Sequence, residues 1–388
     1  MTRVGGAWMR QGQTQVLLAA LSAAGHQALF VGGCVRNALL GMPVADVDIC
    51  TDAAPDVVAR IAGAAGFKVV PTGIEHGTVT VVAGDAVHEV TTFRRDVATD
   101  GRRATVAFSA DIAEDAARRD LTINALYARA DGTVIDPLGA LPDLAARRVR
   151  FVGEAGERIR EDYLRILRFF RFHAHFADPS LGLDPEALAA CAANIEGLGQ
   201  LSKERIGQEM RKLLSAPDPA PAVAAMAAAG VLGAVLPGAD AAALAPLVHL
   251  EVEQWLAPDW MRRLALVGGQ DPAEHLKLSR AEARALAALA SAARGADSPA
   301  VLGFRLGAER AHDALLIRAA LVGVPLPPGA RDEVQRGANA VFPLRAADLP
   351  ALSGAALGAR LKALQEVWLH TNLTASKADL LSRADRQG

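Results

Sequence analysis

At 388 residues the chain is longer than one core supports, so two or three domains are expected, and its 51% apolar share is enough for sizeable cores. Lys and Arg number 41 against 43 Asp and Glu, a near-neutral balance that excludes a uniformly basic chain and leaves any nucleic-acid contact to a local basic surface. The three cysteines, Cys34, Cys50 and Cys191, are odd in number and lack metal-ligand spacing, which argues against a secreted disulfide framework and fits a reducing, cytoplasmic setting.

In chain order, the pattern begins with a helix over 14–24. Its apolar stretch follows Arg3 and Arg10 like the core of a signal peptide, but it is short, and Gln11, Gln13 and Gln15 lead into it. No run approaches the roughly 20 apolar residues of a membrane span, so no membrane partner is expected. An apolar strand over 28–31 is followed by Gly32-Gly33, which opens a helix to Leu40 closed by Gly41 and Pro43. Residues 44–51 read as a strand and 54–64 as a helix. Strands over 68–71, 78–82 and 86–92 come next, the last two joined by the turn Gly84-Asp85. The stretch 94–103 is polar and aperiodic, with turn chemistry at Asp100-Gly101, and reads as a mobile loop. Beyond Glu154 helical periods take over, at 162–176, 185–195 and 203–214, the last with Ser202 as N-cap, then in Ala/Leu-rich helices to the end. Pro217, Pro219 and Pro221 mark a boundary before the tail. The expected class is α+β, a small mixed-sheet head followed by an all-helical remainder.

Asp46 and Asp48 stand two apart in the strand-like run, so both carboxylates leave one face with Cα atoms about 6.5 to 7 Å apart. That spacing suits two cations about 3.5 to 4 Å apart, one activating an attacking oxygen and the other stabilising a leaving oxygen. Alone, an Asp-x-Asp is more often a solvated turn or strand end. Just upstream, the Gly32-Gly33-Cys34-Val35-Arg36 turn lets backbone N–H groups approach a triphosphate, and Arg36 can hold a phosphate bidentately. In isolation it would be an ordinary strand-to-helix turn. Within Arg118 to Ala125, Arg119 can bind phosphate while Asp120 and Asn124 suit ribose hydroxyls; equally, Asp120 can cap a helix.

Asp162 and Arg165, at i and i+3, are expected on one helix face, with Arg168 and Arg171 beyond them. As an exposed ion pair they would contribute little. As a base reader, a carboxylate beside a guanidinium matches the amine and adjacent acceptor of cytosine and adenine and repels uracil and guanine. Glu89 can add a third acidic group or face solvent. His76 reads as a turn histidine and His312-Asp313 as a helical surface pair.

Taken together, Gly32 to Gly41 with Asp46-Val47-Asp48, Arg118 to Ala125, Asp136 to Gly139 with Asp143-Leu144, Glu161 to Arg165, and Ser202 to Ile206 resemble five motifs, in order, of the class II polymerase-beta-like nucleotidyltransferases. That group contains the CCA-adding tRNA nucleotidyltransferases and the bacterial poly(A) polymerases. The resemblance implies a nucleotidyltransferase head over 1–150, a helical neck binding nucleobase and RNA over 151–215, and a helical body and tail binding tRNA over 216–388. It also implies Mg2+ on Asp46 and Asp48, and nucleotide contacts from Gly33, Arg36, Arg119, Asp162, Arg165, Arg168 and Arg171, the last four on the neck helix. On their own chemistry, Gly32, Asp120 and Asn124 join the nucleotide contacts and Glu89 joins the catalytic aspartates. Asn37 stands where the family usually has Asp, which removes a charged hydrogen-bond acceptor. The implied activity is addition of C, C and A to the acceptor end of tRNA from CTP and ATP, releasing pyrophosphate. Residues 76–81 and 89–94 look more like the CCA-adding type than a poly(A) polymerase, and the polar stretch 94–103 counts against CC-only addition. An A-only enzyme and a non-catalytic nucleotide-sensing or RNA-binding module are the other readings.

Overall fold

Ala28–Val31 (β1) is too short and too apolar for anything but a strand covered on both faces, and all four of its residues are buried. In the computed structural model it lies within a seven-stranded mixed sheet. The structure describes all residues except Met1, Thr72, Glu75, His76, Asp85, 100–103 and 386–388, so the turn assignments at His76, Asp85 and Asp100-Gly101 lie outside the described residues. The chain divides into two compact units, Met1–Val235 and Leu236–Gly388.

In the first unit β1 is joined by β2 (Ile49–Thr51), β3 (Lys68–Val70), β4 (Thr78–Ala83), β5 (Ala86–Thr92), β8 (Tyr127–Ala128) and β9 (Val134–Ile135), while β6 (Arg94–Thr99) and β7 (Ala104–Phe108) form a separate ribbon. The sheet order is β3-β4-β5-β2-β1-β8-β9, with β2 and β5 parallel and the other neighbours antiparallel. Helices α1 (Gly12–Ala23) and α3 (Pro55–Ala64) cover one face. Leu29, Val31, Cys50, Phe93, Ala116 and Tyr127 build the core on the other, α2 (Gly33–Leu39) leaves the end of β1, and α4 (Ile112–Ala117) contributes Ala116.

Two expectations fail here. The strand expected over 44–51 is only Ile49–Thr51, because its partner runs out: Phe30 pairs with Ile49, Val31 N–H still donates to Asp48 C=O at 3.1 Å, and then Gly32 turns away. The stretch 94–103, read as a mobile loop, instead begins with a strand of the β6–β7 ribbon. A two-stranded ribbon outside the main sheet tolerates polar residues on both faces, so it leaves no apolar period to read.

Helices make up the rest of this unit: α5 (Leu141–Ala145), α6 (Ala155–Glu161), α7 (Leu164–Phe176), α8 (Pro185–Ala193), α9 (Lys203–Leu214), α10 (Ala220–Ala228) and α11 (Val231–Val235). The helix expected over 162–176 starts only at Leu164. Asp162 is extended, at φ −154° and ψ 106°, and separates α6 from α7. Ser202 caps α9 as expected, accepting from Arg205 N–H.

The regular elements of the second unit are helices among its described residues: α12 (Leu244–Glu253), α13 (Trp260–Val267), α14 (Pro272–His275), α15 (Arg280–Arg294), α16 (Pro299–Val322), α17 (Ala330–Ala338), α18 (Gly354–His370) and α19 (Lys377–Asp385), with one isolated bridge between Ala239 and Gly268. A Cβ on Gly303 would lie 2.1 Å from Val334 O, and one on Gly337 1.8 Å from Ala300 O, so bare backbone sets how closely α16 and α17 cross. His312 and Asp313, expected at the surface, are buried on α16. For Asp313 the reason is charge pairing: it accepts from Arg262 at 2.8 Å, and Glu251 accepts from both Arg262 (2.6 Å) and Arg263 (2.7 Å), while His312 meets Gln254 Oε1 at 3.1 Å. No helix among the described residues is long and apolar enough to cross a membrane.

Glu251 holds two buried guanidinium groups, so Glu251→Ala leaves uncompensated charge inside the unit. We expect a loss of about 3–5 kcal/mol in stability, read from urea unfolding of the full chain. A change below about 1 kcal/mol, the range of an exposed pair, would contradict the network's role.

Candidate nucleotide-binding and catalytic site

The site follows from how β1 ends. Gly32 adopts φ +71° and ψ −119°, a conformation closed to side chains, and starts α2. Its N–H is held by Leu126 C=O at 2.9 Å. This turn lines a cavity of about 410 Å³ together with Gly33, Arg36, Asn37, Asp46, Asp48, Arg119, Asp120, Asn124, Arg168, Arg171 and Phe172. Ten of the sequence-predicted site residues meet there. Glu89, Asp162 and Arg165 do not line it.

One side of the cavity is cationic. Arg36 is buried and donates to Asn37 Oδ1 (2.8 and 3.1 Å) and Asn124 Oδ1 (2.5 Å), so its hydrogen-bond partners are neutral amides. Asn37 Oδ1 thus supplies the acceptor that an Asp would, and its Nδ2 also donates to Pro43 C=O at 2.9 Å, a bond that a carboxylate cannot make. The Arg36 guanidinium lies 3.9 Å from the Phe176 ring centroid, and Phe172 is faced by Arg36, Arg168 and Arg171 at 5.2, 5.3 and 4.2 Å. Burial, and next the charge of Arg171, lower the Arg36 pKa to about 10. Arg171 is paired with Glu209 of α9 at 2.5 Å. Arg119 is held by Asp115 and by Tyr127 Oη, which itself donates to Asp115.

Asp120 does not cap a helix N-terminus. A short 3-10 turn, Thr122–Asn124, follows it, and its carboxylate accepts from Leu121 N–H (2.8 Å), Asn124 Nδ2 (3.1 Å) and Arg168 Nε (2.6 Å). Burial opposes ionisation, but Arg168 and these hydrogen bonds outweigh it and hold the Asp120 pKa at about 2.

The other side is acidic. Asp46 and Asp48 sit in the irregular approach to β2, and the parallel register, Ile49 opposite Val90, sets Asp48 beside Glu89 on β5. Burial raises the Asp48 pKa, and the charges of Glu89 and then Asp46 raise it further, against Arg119. Crowded carboxylates of this kind are relieved by a cation, and an all-oxygen donor set selects a hard one. Among the described residues no three His, Cys, Asp or Glu side chains close a metal cage on their own.

Asp162 and Arg165 do not share a helix face. Asp162 Oδ1 accepts from Leu164 N–H, and its Oδ2 pairs with Arg205 of α9 at 2.7 Å. Arg165 turns to Glu161 (2.5 Å) and to the carbonyls of Arg158 and Arg118. Sequence reading missed Phe172 and Glu209 as members of this neighbourhood, and gave Arg205 only as part of the Ser202 to Ile206 motif. Phe172, among arginines at helical spacing, carried a local signal; Glu209 lies 38 residues from Arg171 and carried none.

A mixed sheet bearing paired aspartates beside a buried cationic pocket is the layout of a nucleotidyltransferase head. Residues 28–150 match the family described as "Poly A polymerase head domain", and 181–243 that described as "Probable RNA and SrmB- binding site of polymerase A". The CCA-adding enzyme of Geobacillus thermodenitrificans is 38% identical over 325 residues, 80% of this chain and 78% of that protein. The human mitochondrial CCA tRNA nucleotidyltransferase 1 is 44% identical over 190 residues, and the match spans only 44% of its length. The crystal structure of the Bacillus stearothermophilus CCA-adding enzyme in complex with CTP superposes with a TM-score of 0.74 at 32% identity, covering 97% of this chain and 98% of that one. The chain belongs to the family of CCA-adding enzymes.

The depressed pKa of Asp120 sets a pH signature. Its stabilisation is complete above the ordinary carboxylate value of about 4 and is lost as pH falls through its folded value, about 2. Asp120→Asn should therefore lower stability at neutral pH, with the gap to wild type closing between about pH 4 and pH 2 in acid unfolding. A gap that does not change with pH would contradict the Asp120–Arg168 pairing.

Proposed function

We propose that this chain adds C, C and A to the 3′ end of tRNA without a template, using CTP and ATP and releasing pyrophosphate. The observation that carries this reading is the charge layout of one cavity. A buried guanidinium, Arg36, bonded only to neutral amides, stands across from the crowded Asp46 and Asp48. That pairing of fields fits a triphosphate carrying a cation, and membership of the CCA-adding family supports the substrate class.

We assign Mg2+ to Asp46 and Asp48, since Mg2+ is commonly held by one or two carboxylates plus substrate phosphates. When bound, it acidifies the attacking hydroxyl and neutralises charge developing on the leaving pyrophosphate. Arg36, Arg168 and Arg171 hold the phosphates in line for attack, with Arg119 and the Gly32-Gly33 backbone beside them. Asp120 and Asn124 orient Arg168 and Arg36 and turn their remaining hydrogen-bonding capacity toward the ribose. Glu89 tunes Asp48 through its charge. Asp162, whose side chain is 32% exposed, accepts from the exocyclic amine of C or A. Arg165, held by Glu161 and by the carbonyls of Arg158 and Arg118, orders the start of α7 and turns its remaining donors toward the base. We assign chemistry to 1–150, base reading to 151–215 and tRNA binding to 216–388, the last through backbone phosphates and 2′-hydroxyls and hence weakened by salt. The free thiols of Cys34, Cys50 and Cys191 are all buried and suit a reducing cytoplasm.

Asp46→Ala and Asp48→Ala should each abolish CMP incorporation into tRNA lacking its 3′ end, since each removes a metal contact on which several kcal/mol of transition-state stabilisation rests. Incorporation within about tenfold of wild type, only about 1.4 kcal/mol, would remove the Asp pair from the mechanism. Asp162→Ala should admit UTP relatively better, because a site that hydrogen-bonds an amine rejects a carbonyl strongly. Unchanged ratios among the four nucleotides would end its base-reading role.

A further inference from the structure

The segment 46–48 carries both proposed metal ligands yet belongs to no strand or helix, so something other than a ladder must hold it. Asp48 is tied through its own carbonyl, which accepts from Val31 N–H. Between the two aspartates the tether is a side chain. His88, on β5 and 1% exposed, has Nδ1 at 3.1 Å from Val47 O and Nε2 at 2.9 Å from Thr14 Oγ1 of α1.

We infer that His88 is a positioning residue that fixes the Asp46-Val47-Asp48 segment for cation binding, with the Val47 carbonyl setting its tautomer and the Thr14 hydroxyl anchoring its other ring nitrogen. The inference rests on the assignment of Asp46 and Asp48 as metal ligands. Its chemistry is forced at each atom. A carbonyl only accepts, so Nδ1 carries the proton it shares with Val47 O. Nε2 then holds the lone pair, and the Thr14 hydroxyl supplies the proton for it. The longer 3.4 Å contact from Thr14 Oγ1 to Gln11 Oε1 is the alternative for that hydroxyl.

The register explains why a side chain is needed. Extending the β2–β5 pairing one step from Ile49–Val90 sets Asp48 opposite Glu89, and a second step sets Val47 opposite His88. On β5 His88 and Val90 point into the buried face and Glu89 points out. The strand that sets the Glu89 charge beside Asp48 therefore also sends an imidazole inward to hold Val47. Gly32 has by then removed the β1 partner, and the His88 imidazole supplies a donor where the ladder stops. Outer-shell hydrogen bonds of this kind matter to cation affinity because they fix where the ligands stand before the ion arrives.

The test is Mn2+ binding to the full chain without nucleotide, followed by electron paramagnetic resonance, beside amide hydrogen exchange over 46–49 and thermal melting. His88→Leu should weaken Mn2+ binding by about 10- to 100-fold, the range for lost outer-shell partners, and speed exchange in the segment. His88→Asn, which keeps an N–H toward Val47 O, should recover most of the affinity. Thr14→Val keeps the side-chain volume, removes only the hydroxyl, and should weaken binding by a smaller factor; it carries the test if His88→Leu does not fold. A folded His88→Leu with wild-type Mn2+ affinity and a lowered melting temperature would make His88 a core residue only and overturn the inference. So would unchanged binding in Thr14→Val where His88→Leu cannot be measured. Asp46→Ala separates the two levels: if it loses Mn2+ while His88→Leu keeps it, the metal assignment stands and the inference falls. If Asp46→Ala binds Mn2+ as wild type does, the metal assignment falls and takes the inference with it.

Discussion

The left-handed turn at Gly32 is the constraint on which the site depends. It ends β1 one residue after Val31, starts α2 and so places Arg36 one turn along. By removing the β1 partner it also frees Asp46 and Val47 from the ladder while Asp48 stays tied to Val31. One backbone conformation thus creates both sides of the cavity, the cationic and the acidic. A Cβ there would make only ordinary contact with the Arg119 guanidinium at 3.5 Å, so the cost of a side chain is the backbone conformation itself.

From that turn the charge layout follows by pairing. Arg168 is held by Asp120, Arg171 by Glu209 and Arg119 by Asp115, so three of the four guanidinium groups are both placed and compensated. Arg36 is placed by Asn37 and Asn124 without compensation. Asn at 37, where the family usually has Asp, keeps the acceptor and carries no charge, so it does not cancel the positive field of Arg36. The three aromatic contacts of Phe172 pack these arginines without neutralising them.

Elements defined by local pattern were legible in the sequence. β1, β5, α3 and α9 stand where apolar period and caps put them, and the glycine turn, the Asp pair and the arginines of α7 were visible as motifs. What depended on partners far away in the chain was not. Val-Ala-Asp-Val-Asp alternates like a strand, but whether it pairs is decided at Gly32. Helical period runs through 162–176, yet Asp162 leaves the helix, capping Leu164 and pairing with Arg205, 43 residues on. His312-Asp313 looks like a surface dipeptide until Arg262, 51 residues earlier, supplies the charge that lets Asp313 be buried. His88 carries no motif, and its two partners come from α1 and from the segment before β2.

The central claim is that the Gly32 backbone organises nucleotide binding, and calorimetric titration of CTP into the Gly32→Ala protein tests it most directly. Forcing a side chain into that conformation costs about 1–3 kcal/mol or displaces the turn. The account predicts that a protein still folded by melting loses at least about tenfold in CTP affinity, equivalent to 1.4 kcal/mol. CTP bound by folded Gly32→Ala with wild-type affinity would contradict it.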